Sequence, residues 1–283
     1  MALAAAPTRD VTDIATRYER DGYYFPLEVM SPSEAMAHRA ELDSLQERIE
    51  KEKLGNKGQL NFGHIIFPFA DQIARHPRIL DAVETILGPD ILAWGSTFFI
   101  KDAHSPSYVS WHQDLRYWGL DSEDQVSVWV ALGPVTEAHG CMRFVPGSHK
   151  GKMLAHRDTF AGDNFLTRGQ EAEVEIDESD TVMVELEPGQ ASLHHGKLLH
   201  ASGPNNTDER RVGLVINYIA PHVRQIVANE DFASLVRGED RFGHFQHIPA
   251  PTSNFSDEGM AWHRRVRGAQ NEALYDGAGV DET

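Results

Sequence analysis

Hydrophobic and polar positions divide the chain into a helical first third and a strand-rich remainder. Ser31-Pro32-Ser33-Glu34 has the form of a helix N-terminal capping box, and the polar–apolar pattern after it predicts a helix through Lys53. A second helix is predicted from Asp71 to Leu87, with Gly88 and Pro89 as its stop signal. Beyond it, short apolar runs bounded by turn residues predict strands at 91–94, 97–100, 126–132, 181–186, 191–195 and 211–219.

Short strands without alternating helices indicate an antiparallel sandwich or barrel rather than a parallel α/β sheet. We expect one domain over residues 1–283, mainly β with flanking helices. A mostly helical part (1–90) packs outside a β core (91–221), and a C-terminal extension (222–283) contains one helix around 260–275. A long polar insertion at 150–173 interrupts the core, and loops of that length are often functional. We expect it to lie over the site.

Charge and cysteine content narrow the function classes. The 43 acidic and 26 basic residues give a formal net charge of −17, which disfavours binding to nucleic acid or to an anionic membrane. A small-molecule substrate is the expected partner, and the oligomeric state is left open. The single Cys141 forms no intramolecular disulfide, and neither a signal peptide nor a membrane span is evident, so a cytoplasmic protein is expected.

Histidine is abundant, with 15 residues, and one cluster has metal-ligand spacing. In an extended segment, residues two apart share a face, so His112 and Asp114 can reach one ion together. His200 is the candidate third ligand. Two histidines and one carboxylate on one face of an octahedron are typical of non-haem Fe(II) oxygenases.

The predicted strand 211–219 begins with arginine although it is otherwise strongly apolar. A buried guanidinium needs an anion, and its planar fork matches a carboxylate. If Arg211 faces inward, Gly213, Val215 and Asn217 share its face. This pattern predicts a carboxylate clamp beside the metal, spaced for a short dicarboxylate.

Three segments carry a resemblance to a known family: His112-Gln113-Asp114-Leu115-Arg116-Tyr117, Val145-Pro146-Gly147-Ser148-His149, and His200-Ala201-Ser202-Gly203 followed by Arg211. They resemble the phytanoyl-CoA dioxygenase family of Fe(II)- and 2-oxoglutarate-dependent oxygenases. The resemblance runs from about residue 10 to 221 and implies a double-stranded β-helix, the jelly-roll or cupin-like core.

By the same resemblance, His112, Asp114 and His200 bind iron, and Arg211 binds the far carboxylate of 2-oxoglutarate, with O2 as the second co-substrate. Ser202 assists Arg211, and Trp129 matches a position that lines the co-substrate pocket. His194 and His195 compete with His200 for the ligand role, but they lack an arginine at the family interval, so packing or hydrogen bonding within the sheet is expected of them. Related halogenases lack the carboxylate ligand, so the presence of Asp114 favours hydroxylation. Lys101, which ends a predicted strand, is a further candidate for co-substrate binding.

The candidates for substrate binding are mostly polar and partly cationic, which suits a small anionic or zwitterionic metabolite such as an amino acid derivative or 2-aminoethylphosphonate. Tyr108 and Ser110 share the parity of His112. The other candidates are Arg116, Tyr117, Trp118, His156, Arg157, Asn61, His64 and Phe67.

The sequence leaves three other functions open. An acyl-CoA or natural-product hydroxylase of the same family is one of them. A hydrolase or isomerase that uses another divalent metal on a cupin-like barrel is a second, and a non-catalytic binding or sensor domain is a third.

Overall fold

Two antiparallel sheets face each other and form the core of the protein, in a computed structural model that describes residues 11–52, 59–166 and 168–275. The strands are β1 (Tyr23–Glu28), β2 (Gln59–Asn61), β3 (Ile91–Lys101), β4 (Val109–His112), β5 (Gln125–Ala131), β6 (Met142–Phe144), β7 (His156–Asp158), β8 (Gln170–Ala172), β9 (Val182–Val184), β10 (Gln190–His194), β11 (His200–Ser202), β12 (Arg211–Ile219), β13 (Phe232–Arg237) and β14 (Gln246–His247). The helices are α1 (Val11–Asp21), α2 (Pro32–Glu52), α3 (Gly63–Ile66), α4 (Pro68–Ala74), α5 (Pro77–Leu87) and α6 (Asp257–Tyr275).

The larger sheet has the order β1-β10-β5-β12-β3-β13-β14, with β2 also paired to β3, and the smaller sheet has the order β4-β11-β6-β9. Alternation along β5 and β12 separates two layers of core. Val128, Val130 and Leu214 join the cluster that contains the helices, whereas Trp129 and Val215 point between the sheets. This arrangement confirms the predicted mainly β jelly-roll core with flanking helices.

The start of α2 follows the predicted capping box. The backbone N–H of Ser31 donates to Glu34 Oε2 at 2.9 Å, and the backbone N–H of Glu34 donates to Ser31 Oγ at 3.3 Å. These reciprocal bonds satisfy two of the amide groups that a helix N-terminus leaves open. Lys53, the predicted last residue of this helix, lies outside the described residues.

The predicted helix 71–87 is wrong as a single element, because α4 ends at Ala74 and α5 begins at Pro77. Proline disfavours helical geometry at the residue before it, and His76 is extended, with φ −62° and ψ 126°. The predicted strands 91–94 and 97–100 are instead one strand, β3, which continues through Gly95 and Ser96. The helix predicted around 260–275 begins earlier, at Asp257.

The predicted helices and strands do not include α1 and α3 or the strands β1, β2, β4, β6, β7, β8, β11, β13 and β14. Within the insertion at 150–173, β7 and β8 pair as an antiparallel hairpin. The C-terminal extension contributes β13, which pairs with β3, and β14, which pairs with β13 in parallel at the edge of the larger sheet. The division into regions of one domain stays a prediction. No helix in the described part of the chain is both long and apolar enough to cross a bilayer.

Candidate active site

The three predicted metal ligands converge on one point. His112 ends β4, Asp114 opens the turn after it, and His200 opens β11. Because β4 and β11 pair with His112 opposite His200, the centroids of the two imidazole rings lie 4.0 Å apart. Asp114 Oδ1 lies 3.1 Å from His112 Nε2 and 3.8 Å from His200 Nε2. One candidate ligand atom from each residue lies within 4.8 Å of the others.

Backbone carbonyls orient both imidazoles. His112 Nδ1 lies 2.8 Å from the carbonyl oxygen of Ser110, and His200 Nδ1 lies 2.9 Å from that of Leu198. A carbonyl only accepts hydrogen bonds, so each Nδ1 carries the proton and each Nε2 presents a lone pair to the shared point. Burial lowers the pKa of His200 to about 3, so its ring stays neutral.

Asp114 presents its carboxylate to the same point in ionised form. Burial alone would raise the pKa of Asp114, but His200, His112 and His194 around it hold that pKa well below its usual range. Two neutral imidazole nitrogens and one carboxylate oxygen fit the facial triad of non-haem Fe(II), which leaves positions for a chelating co-substrate and O2. A structural zinc site uses four protein ligands, and in the described ranges only these three residues converge.

Two buried basic side chains lie together at another point between the sheets. Arg211 on β12 pairs with Lys101 on β3, and the two residues are 2% and 0% exposed. Lys101 Nζ donates to Ser202 Oγ at 2.7 Å, while Arg211 Nη1 donates to the carbonyl oxygen of Gly140 and Arg211 Nε has no partner. No carboxylate of the described chain forms an ion pair with either cation.

The pKa values reflect this lack of a counter-ion. Burial lowers the pKa of Arg211 to about 10, and burial followed by repulsion from Arg211 lowers the pKa of Lys101 to about 6. A ligand carboxylate would supply the missing negative charge. The two cations and the Ser202 hydroxyl therefore fit the far carboxylate of 2-oxoglutarate.

Lys101 is expected to make stability depend on pH. Its pKa of about 6 in the folded protein lies below the ordinary 10.5, so the unfolded chain binds more protons between these values and the free energy of unfolding rises with pH from about 6 upward. Relative to Lys101→Met, the wild-type free energy of unfolding should increase between pH 6 and pH 9, as measured by denaturant titration. Saturating 2-oxoglutarate should flatten this trend, because a bound anion favours the protonated amine. The exposed Lys152→Met is the matched control, and an equal trend in both comparisons would contradict the assignment.

One cavity of about 190 Å³ connects the metal triad to Arg211. Its wall includes Trp129, Met142, Ala201 and Ser202. The inward face of β12 runs along the cavity from Arg211 to Asn217, a separation of about 20 Å. Asn217 is level with His194, since both residues pair with Ser127 of β5.

Gly213 makes room for one wall of this cavity. A Cβ atom at residue 213 would lie 1.9 Å from the Trp129 ring, so the indole packs directly over the glycine. The Arg211 guanidinium carbon lies 5.4 Å from the centroid of the same ring. Gly213, Trp129 and Arg211 therefore define one packed unit of the anion-binding end.

Gly213→Ala is expected to displace Trp129 into the co-substrate space. Overpacking of this kind costs about 1–3 kcal/mol of stability. The dissociation constant of 2-oxoglutarate should rise while Fe(II) affinity stays unchanged, both measured by anaerobic titration. Gly162→Ala is the control, because a Cβ atom there meets nothing within 4 Å. Unchanged 2-oxoglutarate affinity in a folded Gly213→Ala protein would contradict this role of the packing.

The sequence profile described as phytanoyl-CoA dioxygenase (PhyH) matches residues 18–213, which include the triad, Lys101, Ser202 and Arg211. The chain belongs to the phytanoyl-CoA dioxygenase family. This membership confirms the family resemblance seen in the sequence.

Solved structures and curated relatives agree with membership of the phytanoyl-CoA dioxygenase family. The non-haem monooxygenase ThoJ in its apo form has a TM-score of 0.83 at 36% identity, over 93% of this chain and 98% of ThoJ. A ThoJ–Ni complex has a TM-score of 0.78 at 34% identity, over 93% and 99%. A probable alpha-ketoglutarate-dependent hypophosphite dioxygenase of Stutzerimonas stutzeri is 32% identical over 56% of this chain. The match spans only 55% of that relative's length.

The prediction that Tyr108 and Ser110 share the inward face of β4 with His112 is wrong. Val109, rather than Tyr108 or Ser110, lines the cavity together with His112. The register slips here, because His200 is opposite His112 while Ser202 is opposite Val109. An irregularity of this kind shifts which side chains face inward.

Tyr108 and Ser110 instead hold the insertion. The Ser110 hydroxyl donates to the carbonyl oxygen of Gln170 at 2.5 Å and accepts from Asn164 Nδ2 at 2.8 Å. The backbone of Tyr108 bonds to Asp163 and Phe165. These contacts bring Leu166 of the insertion to the cavity wall.

Two candidates within the insertion have other partners. His156 Nε2 accepts from the backbone N–H of Gln113 at 3.1 Å, and His156 Nδ1 lies 3.1 Å from the carbonyl oxygen of Leu154. Both ring nitrogens are thus engaged. Arg157 is exposed and pairs with Glu171 at 2.8 Å. The expectation that these residues face a substrate is not met, because His156 is bonded to the backbone of Gln113 between the metal ligands and Arg157 is paired with Glu171 within the hairpin.

Of the residues after the triad, Trp118 reaches the cavity wall. Tyr117 does not line the cavity; its ring lies beneath the Arg168 guanidinium, and its buried hydroxyl has no partner. Burial raises the pKa of that hydroxyl to about 12. Arg116 is exposed on the turn that opens at Asp114.

The N-terminal candidates lie away from the cavity. His64 is buried on α3, where Nδ1 lies 2.8 Å from Ser96 Oγ, and Ser96 belongs to the β3 face opposite to Thr97. Burial lowers the pKa of His64 to about 3. Phe67 packs among Phe69 and Phe98 in the helical cluster, and the backbone carbonyl of Asn61 accepts from His263. These residues stabilise the outer layer rather than close over the site.

Sequence reasoning misses two polar groups of the cavity. The sequence predicts packing or hydrogen bonding within the sheet for His194, yet this residue lines the cavity beside Asp114, whereas His195 lies next to His149 outside it. Thr97 is absent from the predicted site, although it shares the inward face of β3 with Lys101. Thr97 could be identified from the sequence because it lies four residues before Lys101 in the same strand and therefore on the same face.

Proposed function

We propose that the protein is an Fe(II)- and 2-oxoglutarate-dependent dioxygenase that hydroxylates an unactivated C–H bond of a small polar molecule. The observation that carries the proposal is the joining, in one cavity, of a convergent His-Asp-His triad and the buried Arg211, which has no counter-ion. Lys101 is bonded to Ser202, which lies in the wall of the same cavity. A hydrolase or isomerase needs the metal but has no use for the cation pair. A sensor domain needs neither.

Each part of the chain has a definite task in this reaction. His112, Asp114 and His200 would hold Fe(II), which with 2-oxoglutarate and O2 would supply the oxidant for C–H hydroxylation. Arg211 and Lys101 fix the far carboxylate of 2-oxoglutarate, and Ser202 orients Lys101 through its 2.7 Å hydrogen bond. Trp129 covers this end and excludes water from it.

The cavity wall suggests which substrate groups are recognised. Thr97 and Asn217 are uncharged, and buried Asn217 Oδ1 has no hydrogen-bond partner. Phe99, Trp118 and Leu166 add apolar surface. The substrate therefore meets Asn217 through a neutral hydrogen-bonding group. An anionic group, as in 2-aminoethylphosphonate, would have to extend to the exposed Arg116.

The test is a substrate screen that measures succinate formation with Fe(II), 2-oxoglutarate and O2. The panel pairs small anions (hypophosphite, 2-aminoethylphosphonate) with zwitterions (ectoine, amino acids) and with neutral amides of those amino acids. We expect at least one compound to raise succinate formation and to gain one oxygen atom by mass spectrometry. If metallated protein forms no succinate with any compound and does not bind 2-oxoglutarate, the proposal is overturned.

Asn217→Leu is expected to raise the Michaelis constant for the substrate found in that screen by about 10-fold, since loss of one buried hydrogen bond costs about 1–3 kcal/mol. The Michaelis constant for the co-substrate 2-oxoglutarate should not change. Thr207→Val, in the loop that precedes β12, is the control. An unchanged Michaelis constant for the substrate would show that Asn217 does not contact it.

A further inference from the structure

His194 occupies an unexplained position beside the metal triad. It ends β10, is 2% exposed and lines the cavity. Its Nε2 lies 3.7 Å from Asp114 Oδ2, whereas the other carboxylate oxygen, Oδ1, faces His112 and His200. The two oxygens of Asp114 thus have different neighbours: Oδ1 faces the two ligand histidines, and Oδ2 faces His194.

The position of His194 does not fit a fourth metal ligand. Among the described residues, the side chains that share one point are His112, Asp114 and His200 alone. His194 approaches the carboxylate from the side of Oδ2. A fourth protein ligand would also occupy one of the positions that a chelating co-substrate and O2 require.

The fold holds His194 firmly in this place. Its backbone lies between two strands, opposite Tyr23 of β1 and Ser127 of β5. Its ring packs 5.4 Å from the Phe144 ring of the facing sheet and 4.8 Å from the His200 ring, measured between centroids. A side chain confined in this way loses little further entropy when it makes a directed hydrogen bond.

The neighbours of the His194 ring indicate which of its two nitrogens carries the proton. His194 Nδ1 is buried and has no partner, and neither does the neighbouring Ser127 Oγ. A neutral imidazole carries one N–H, and the nearby carboxylate oxygen is its strongest acceptor. The proton is therefore assigned to Nε2, which faces Asp114.

We infer that His194 is a positioning residue for the metal centre: its Nε2, 3.7 Å from Asp114 Oδ2 and so just beyond hydrogen-bond distance, closes on that oxygen when a metal binds Oδ1 and so keeps Oδ1 alone directed at the metal. This inference rests on the proposed function. A carboxylate free to rotate would bind through both oxygens and take up a position needed by 2-oxoglutarate or O2. Hydrogen-bond partners of ligand side chains typically change metal affinity by about 10- to 100-fold when they are removed.

The test compares His194→Phe, which keeps a ring beside Phe144 but has no N–H, with His194→Gln, which restores an N–H donor. Fe(II) affinity is measured anaerobically, together with the position of the visible absorption band of the Fe(II)–2-oxoglutarate complex. We expect His194→Phe to weaken Fe(II) binding by about 10- to 100-fold and to shift the band. His194→Gln should recover both properties.

Ser192→Ala is the matched control, because Ser192 is buried two residues earlier on the same face of β10 and its Oγ also lacks a partner. It should bind Fe(II) like the wild type. Thermal unfolding of metal-free protein checks the fold, and His194→Leu replaces His194→Phe if the latter does not fold. Wild-type affinity in the folded His194→Phe or His194→Leu protein, or a His194→Gln protein as weak as the variant without a donor, would overturn the inference. A wild-type protein that binds neither Fe(II) nor 2-oxoglutarate would instead overturn the proposed function.

Discussion

Replacement of His200 by alanine is expected to abolish Fe(II) binding at micromolar concentration and to reduce turnover by more than about 100-fold. Loss of a mere hydrogen-bond partner of a metal ligand already costs about 10- to 100-fold in affinity, and loss of the ligand itself removes a coordination bond. His200 also lies close to both other ligands, since it is opposite His112 in the sheet and its Nε2 is 3.8 Å from Asp114 Oδ1. Anaerobic titration with Fe(II) measures the effect directly.

His222→Ala provides the control for His200→Ala, because His222 is half-exposed and lies next to Asp124 at the surface. It should bind Fe(II) as the wild type does. The metal-free His200→Ala protein should also keep its thermal stability within a few degrees. The substitution removes one hydrogen bond, the one from the wild-type His200 imidazole to the backbone. Undiminished Fe(II) affinity in His200→Ala would show that the metal is bound elsewhere.

Replacement of Arg211 by alanine is expected to raise the dissociation constant of 2-oxoglutarate by about 10- to 150-fold, which corresponds to about 1.5–3 kcal/mol for a charge-assisted hydrogen bond. Fe(II) affinity should stay the same, because Arg211 lies at the other end of the cavity from the triad. The metal-free variant should be at least as stable as the wild type. It loses a buried guanidinium that has no counter-ion and repels Lys101.

Arg211→Lys distinguishes charge from shape. It keeps one positive charge but loses the planar fork that pairs with a carboxylate through two parallel bonds. Its affinity for 2-oxoglutarate should therefore lie between those of the wild type and Arg211→Ala. If Arg211→Ala binds 2-oxoglutarate like the wild type, the anion-binding end is misassigned, and Lys101 with another group must carry that role.

The site could be predicted from the sequence where chemistry restricts the residue types. Histidine and carboxylate side chains are frequent metal ligands, and their spacing brings forward His112 and Asp114 before their strands are known. The choice of His200 over His194 and His195 rests on the family resemblance. A buried arginine likewise needs an anion, so Arg211 can be recognised as a candidate because it begins an otherwise apolar strand. The inward face of β12 is also predictable by parity, and Val215 and Asn217 do line the cavity.

The substrate side could not be predicted in the same way. A register slip in β4 replaces Tyr108 and Ser110 by Val109, and nothing in the local pattern marks that slip. Arg157 pairs with Glu171 within the insertion hairpin, and His156 accepts from the backbone N–H of Gln113 outside it. Such pairings depend on a fold that residue type alone does not reveal. The position of His194 escapes prediction for a related reason: it depends on a distance from Asp114, which lies 80 residues earlier in the chain.

The most direct test of the central claim is an anaerobic optical titration of the protein with Fe(II) and then 2-oxoglutarate. A keto acid that chelates Fe(II) through its carboxylate and keto oxygens produces a weak visible charge-transfer band. This band is expected in the wild type, should be absent in His200→Ala, and should appear only at much higher 2-oxoglutarate concentration in Arg211→Ala. A wild-type protein that binds Fe(II) but shows no such band at saturating 2-oxoglutarate would contradict the account.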